Sequence, residues 1–544
     1  MRSALFAGLV LSGALIQVQQ AVPSPPTRDV HATAAGTATL DGSVVLTAEG
    51  RQSPVRRARV VVTTSDSSQV TDTDTNGRFH LDHLPAGSYH VVVNKFGFVP
   101  ADRPTIVELK DNDRATTTVL MERGAAIEGR LTTGDGEPAI GLTVSAGRLG
   151  YGPYGRFVVA TQQTTTDDLG RYRVHTLPPG EYYLEAAPDP LRALQVSGLQ
   201  GPVPKPTRTY FSGTAGGTAR VDDARVVTLD VGQQTSGLDF SVVEDVLATL
   251  TVKVTTTAGA VPASFISRLQ RVGAPAGDVR CVYPPAGAAQ CRNVPPGDYW
   301  VIVAARPGSA APVEYSTTRV TVNGHDQDLV AATVPGAAVS GRVDSDGGVP
   351  LPPKLQVVAL DTEYEVPSPV PGQPAAPPSA PVASGAFTLS GLVGPRLFRV
   401  NGLPDGWIVK SVRLGATDIT DTPTTLGAAP AAPLQLVVTS QTGSIRGTVL
   451  DVTGQPAVGS RVVVFSNDPR TWGARSRFIV TGEVAATGRY LLHGLLPGHY
   501  LVAAVGDVPD GAWEDPERLA RLQPTATAVT ISAGTTATLD WRPR

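Results

Sequence analysis

The side chains best suited to meeting a ligand lie in two insertions. Tyr151 and Tyr154 fall between Arg148 and Phe157, among Gly150, Gly152, Pro153 and Gly155. Arg470 and Trp472 fall in the run Asp468-Pro469-Arg470-Thr471-Trp472-Gly473-Ala474-Arg475. Aromatic rings beside guanidinium groups on Gly- and Pro-bent loops can stack on sugar rings or grip a partner protein. The same rings can instead cover the edge of a packed sheet, and the residues alone leave both readings open. Any ligand is therefore expected at Tyr151, Tyr154, Arg470 and Trp472. No catalytic residue, metal or cofactor is expected.

Other constellations point to structure rather than chemistry. His80, Asp82 and His90 are expected on one outer face and could hold a metal. Outward polar residues are, however, the ordinary state of a half-buried sheet. Gly150-Tyr151-Gly152-Pro153-Tyr154-Gly155 matches G-x-G-x-x-G. A dinucleotide loop needs a strand before it and a helix after it. Here Pro153 interrupts the loop and Phe157-Val158-Val159 continues as strand. No Gly-Lys pair, H-E-x-x-H or G-x-S-x-G occurs.

The elements that must position these groups are set by a recurring phrase. A Gly is followed at +2 and +4 by apolar residues, then by a Leu-Pro-Pro-Gly-type turn, then by Tyr at +12. The copies start at Gly77, Gly170, Gly287, Gly385 and Gly488 and carry Tyr89, Tyr182, Tyr299 and Tyr500. The fourth copy has Pro395 in place of the turn Gly and Leu397 in place of the Tyr, and the third has Ala289 where the others have Phe or Tyr. A step of about 100 residues is one compact domain, not a solenoid repeat of 20–50. After each Tyr the pattern alternates, with Tyr89, Val91 and Val93 on one face and His90, Val92 and Asn94 on the other. The ring is expected to fill the sandwich end while its hydroxyl satisfies nearby backbone, as in a tyrosine corner. The phrase is expected to fold as a hairpin whose turn Gly takes φ > 0. A final strand, such as Val226-Val227-Thr228-Leu229 or Val529-Thr530-Ile531, is expected to close each unit.

The 544 residues include 57 Gly and 47 Pro, a density that suits short strands joined by tight turns. The expected fold class is all-β: about five tandem seven-stranded antiparallel β-sandwiches. Their expected bounds are 38–122, 123–245, 246–335, 336–440 and 441–544. A Pro-rich insertion, disordered or polyproline-like, is expected at 367–381 within the fourth. One short surface helix is expected from Asp515, as N-cap, through Pro516 to Leu522.

A net charge of −3 offers no basic footprint for nucleic acid. Arg2 followed by the apolar run Ala4 to Ile16 reads as a secretory signal over residues 1–21, too short to span a bilayer. With export comes an oxidising compartment. Cys281 and Cys291 are the two cysteines present, flank one turn, and are expected to pair.

The pattern Asp-x-x-Gly-Arg-Phe/Tyr followed by Leu-Pro-Pro-Gly-x-Tyr resembles the bacterial carboxypeptidase regulatory-like domains, from about Ala38 onward. That resemblance implies a transthyretin-like sandwich related to the B-type repeats of collagen-binding adhesins, and an accessory, binding or structural role without catalytic residues. Adhesin repeats can carry a Lys–Asn isopeptide bond, for which Lys253, Glu314 and Asn323 are the set available. The expectation is a secreted or periplasmic, non-enzymatic monomer with no transmembrane segment after signal removal. Carbohydrate is its first expected partner. The alternatives are an adhesion or assembly rod that binds a cell-surface protein, and an accessory subunit of a secreted hydrolase.

Overall fold

A computed structural model describes residues 36–541, except 49–50, 65–66, 102–104, 190–203, 276–278, 280, 285–286, 309–310, 371, 428–431, 452–453, 486 and 507. The expected signal at 1–21 lies outside the described residues. Among the described residues no helix is long and apolar enough to cross a membrane.

Two sheets face each other in the first unit. One holds Ala38–Ala48, Arg51–Pro54, Arg78–Leu84, Phe98–Pro100 and Arg114–Arg123; the other holds Arg59–Thr63, Ser68–Asp72, Gly87–Asn94 and Thr105–Leu109. Alternation sends Phe79 and Leu81 inward from one sheet, with Leu84 brought inward after a one-residue break, and Tyr89, Val91 and Val93 inward from the other. They meet Leu40, Val60 and Met121 in one apolar core.

The plan recurs. Ala125–Thr132, Ala248–Thr255, Ala337–Ser345 and Gly443–Thr448 each pair with the strand that follows the recurring Gly. Leu142–Gly152, Ser264–Arg271, Gln356–Asp361 and Arg461–Ser466 each pair with the strand after the Pro turn. Every such pair of sheets encloses a core of its own.

Four features depart from the sequence reading. First, the sheets are not purely antiparallel. The opening strand of each unit runs parallel to a later one, as Ala38–Ala48 does to Arg114–Arg123 and Gly443–Thr448 does to Thr536–Thr538. A parallel neighbour needs a crossover connection, and here the rest of the unit supplies it. Second, Val227–Leu229 and Thr527–Ile531, expected to close their units, are not the last strands. Short polar pieces, Gln234–Thr235 and Thr536–Thr538, follow and join the opening strand.

Third, the Pro turn is not a hairpin. The strand before it and the strand after it belong to opposite sheets, so the turn is a corner. His80 and Asp82 therefore face away from one sheet and His90 from the other, and His80 Nδ1 instead meets Asp41 Oδ1 at 2.7 Å. Fourth, the left-handed residue common to the corners is not the turn Gly. It is the residue just before the corner Leu or Val: His83, Thr176, Asn293, Gly391 and Gly494, with φ between 54° and 77°. At each of these the register with the opening strand slips by one residue. This bulge bends the strand into the corner.

The Pro-rich segment ends in Ser379–Pro381, which adds an edge strand to Gln356–Asp361. Edge positions tolerate Pro because its missing N–H can face away from the ladder. Cys281 and Cys291 are direct cross-strand partners and form a disulfide. Lys253 is exposed beside Asp328, while Glu314 is buried and hydrogen-bonded to Thr333 and Thr257, so the set with Asn323 is not assembled.

Candidate functional site

The two insertions do not end in open solvent. In the second unit Leu142–Gly152 and Gly155–Thr165 form a long two-stranded arm that pairs from Thr143 to its tip. Pro153 and Tyr154 make the tip, and Gly155 takes φ 114° there. A Cβ on Gly155 would collide with the carbonyl of Gly273 in the third unit, and one on Gly511 with the carbonyl of Tyr151. Glycine is what allows both close approaches.

Arg156 is the centre of this contact. Its Nε and Nη2 donate to Asp515 at 2.9 and 2.8 Å, a bidentate bond across 359 residues of chain. Nη1 donates to Asp222 at 3.0 Å, and Nη2 also lies 2.9 Å from Glu517. The side chains of Arg156 and Asp515 are only 15% and 4% exposed. Planar bidentate geometry is the strong form of this pair. Hydrogen bonding to Asp515 holds the guanidinium well above its ordinary value against the opposing effect of burial.

Asp515 does a second job. It caps the helix Pro516–Leu522, accepting from the N–H of Glu517, with Pro516 at the first helical position. The expected cap and Pro are therefore in place. The helix is not confined to the surface, because Leu519 is fully buried against Val463 and Phe465 of the neighbouring sheet.

Tyr154 reaches the other insertion. Its hydroxyl lies beside Arg475, whose guanidinium donates to the carbonyl of Asp361 in the fourth unit. Burial raises the Tyr154 hydroxyl above its ordinary value, which keeps it neutral. Arg477 follows, gripping Asp421 at 2.9 and 3.0 Å and the carbonyls of Val409 and Lys410 at 3.1 and 2.8 Å. Nearby, the third and fourth units meet through Arg268–Glu365 at 2.8 Å and through the rings of Trp300 and Tyr364, 4.8 Å apart.

The four expected ligand residues are thus distributed. Tyr151 and Tyr154 are half-buried in the junction. Trp472 packs edge-on over Phe465, and its Nε1 donates to the carbonyl of Ser466 at 2.7 Å. Arg470 is exposed and pairs with its neighbour Asp468 at 2.7 Å. The residues that sequence reasoning missed are Arg156 and the second role of Asp515. One arginine at the end of a Gly-rich turn carries no signal of a partner in another unit.

Residues 39–122 match the family model of the carboxypeptidase regulatory-like domain. The match spans the first sandwich. No curated protein matches the chain. Among solved structures, the Bacillus anthracis TIE protein aligns at 16% identity over 55% of this chain and 51% of its own, with TM-score 0.16. This chain thus spans about half the length of that protein. The minor pilin GBS52 of Streptococcus agalactiae aligns at 11% identity over 38% of this chain and 95% of its own, with TM-score 0.21. The full-length RrgB pilus protein of Streptococcus pneumoniae aligns at 8% identity over 92% and 94%, with TM-score 0.15.

Proposed function

We propose that this is a non-enzymatic binding and structural protein acting at the cell exterior or in the periplasm, with carbohydrate as its first ligand class. The observation that carries this reading is the bidentate Arg156–Asp515 bond, with Tyr154–Arg475 beside it. Side chains that could have met a ligand at a loop tip instead join the second, fourth and fifth units. Units held at several points keep fixed relative positions, and a fixed array of sandwich surfaces suits binding or spacing better than a string of independent beads. The match of the first sandwich to a regulatory-like domain supports the same reading. Within the insertions, the exposure of Arg470 supports it as the residue that meets a ligand, and the packing of Tyr151, Tyr154 and Trp472 supports a structural role for those rings.

The test has two parts. Small-angle scattering of the full chain is expected to give a compact particle, and the double variant Arg156→Ala, Asp515→Ala a larger radius of gyration. A glycan array, followed by a reducing-end assay on whatever binds, is expected to show retention of saccharide without cleavage. An extended wild-type particle, or release of cleaved sugar, would overturn the proposal.

A further inference from the structure

A recess of about 230 Å³ opens on the seam between the second and fifth units. Arg148, Glu181 and Tyr183 line it from the second unit, and Pro509, Arg518 and Arg521 from the fifth. Arg518 and Arg521 stand three residues apart on the helix Pro516–Leu522, a spacing that puts both on one face. That face is held toward the recess because Leu519 is buried on the opposite side and Asp515 is tied to Arg156.

The charges do not balance. The helix sets two guanidinium groups, Arg518 and Arg521, at the recess, and the carboxylate of Glu181 lines it. Among the described residues Arg518 and Arg521 make no ion pair, whereas Arg156, a few residues away in space, has three carboxylates. Burial, with the neighbouring Arg521 adding to it, holds the Arg518 guanidinium below its ordinary value, and Glu181 and Asp515 offset part of this. An anion entering the recess would relieve that imbalance.

We infer that this recess binds one acidic sugar residue, a uronate whose carboxylate pairs with Arg518 and Arg521. The proposal rests on the carbohydrate-binding reading above and assigns it a place. Guanidinium pairs suit a planar carboxylate. Tyr183 and Pro509 offer apolar faces to a pyranose ring. Glu181 accepts from hydroxyl groups but repels a second negative charge, which favours a singly charged polyol over an acidic peptide. The recess is also small beside the roughly 300–1,000 Å³ of pockets for larger ligands, and so suits one ring rather than a chain.

Calorimetry on the full chain tests this with trisaccharides that each carry a single galacturonate, glucuronate or mannuronate on neutral sugars, neutral galactotriose, inorganic sulfate and a tri-aspartate peptide. At least one uronate is expected to bind, and galactotriose, sulfate and the peptide to bind at least about tenfold more weakly. Arg518→Gln and Arg521→Gln are each expected to weaken uronate binding by about tenfold or more with an unchanged melting temperature. Uronate binding that survives both substitutions would overturn the site and leave carbohydrate binding standing. Sulfate or peptide binding as tight as uronate would overturn the ligand class. No binding of any saccharide would overturn the site and the ligand reading together.

Discussion

Gly447 and Tyr490 are direct partners across the opening pair of strands in the fifth unit, and the tyrosine ring lies over the glycine. A Cβ on Gly447 would stand 3.1 Å from that ring and would overlap the carbonyl of Leu539, to which the Tyr490 hydroxyl donates at 2.7 Å. The same partnership joins Gly42 to Phe79, Gly129 to Tyr172 and Gly341 to Phe387. In the third unit it is inverted: Val252 faces Ala289. Small and large have changed places on the two strands, so volume is conserved between them.

That exchange predicts a rescue. Ala289→Tyr alone should overpack the pair and cost about 1–3 kcal/mol. Adding Val252→Gly should recover most of the loss, although glycine in a strand carries its own cost of roughly 0.5–1 kcal/mol. Denaturant melts of the two single variants and the double variant check it. Additive losses would show that the two positions do not share one space.

The corner tyrosines are uniform. Tyr89, Tyr182, Tyr299 and Tyr500 are at most 2% exposed, and each hydroxyl donates to the carbonyl four residues back, at 2.7–2.9 Å. Burial pushes the Tyr500 hydroxyl up to about 12. Tyr500→Ala should cost about 3–5 kcal/mol as a large core truncation. Tyr500→Phe keeps the ring and should cost only about 1–2 kcal/mol, for the unpaired carbonyl of Leu496. Equal losses in the two variants would mean that the hydrogen bond, not the ring, fixes the corner.

These corners were legible in the sequence because they are local: one Gly, one Pro turn and one Tyr at fixed spacing specify them. The sheet pairings were legible only in part. A period of two says which face is inward, but not which sheet a strand joins, so the corner read as a hairpin. The junction was not legible at all. Arg156 and Asp515 lie in turns that each make local sense, and nothing within either turn announces a partner 359 residues away. Tyr364, which takes up space at the fourth corner against Gly394 and contacts Trp300 of the third unit, was hidden in the same way.

Trp472 should behave as a core residue. It sits with Phe465, Ile479 and Trp513 around the buried Leu519, and its indole N–H has a backbone partner. Trp472→Ala should cost about 3–5 kcal/mol. A melting temperature close to that of the wild type would show that the ring is dispensable for packing and free for a ligand.

Arg156 and Asp515 should couple strongly. Removing Arg156 leaves the buried Asp515 carboxylate without its cation, at about 3–5 kcal/mol, whereas Arg156 keeps Asp222 and Glu517 when Asp515 is neutralised, so Asp515→Asn should cost less. Arg156→Ala, Asp515→Asn and the double variant form the cycle. Asn retains the helix cap that Asp515 provides, so the cycle isolates the charge pair. The double variant should be no less stable than the worse single one. Independent, additive losses would remove the clasp as a joint between the second and fifth units.

Glu314 gives the fold an acid-sensitive point. Its burial opposes the charged form, yet Thr333 Oγ1 at 2.7 Å and the N–H of Thr257 at 3.0 Å donate to it and hold the carboxyl below its ordinary value. A carboxyl whose folded-state value is depressed stabilises the fold above its unfolded value and loses that contribution as pH falls through the folded one. Glu314→Gln should therefore melt below the wild type at neutral pH, with the gap closing as pH drops below about 4. Paired thermal melts of the two proteins from neutral to acid read this directly. A gap that stays constant across that range would mean that the lost stability comes from altered shape rather than from the carboxylate charge.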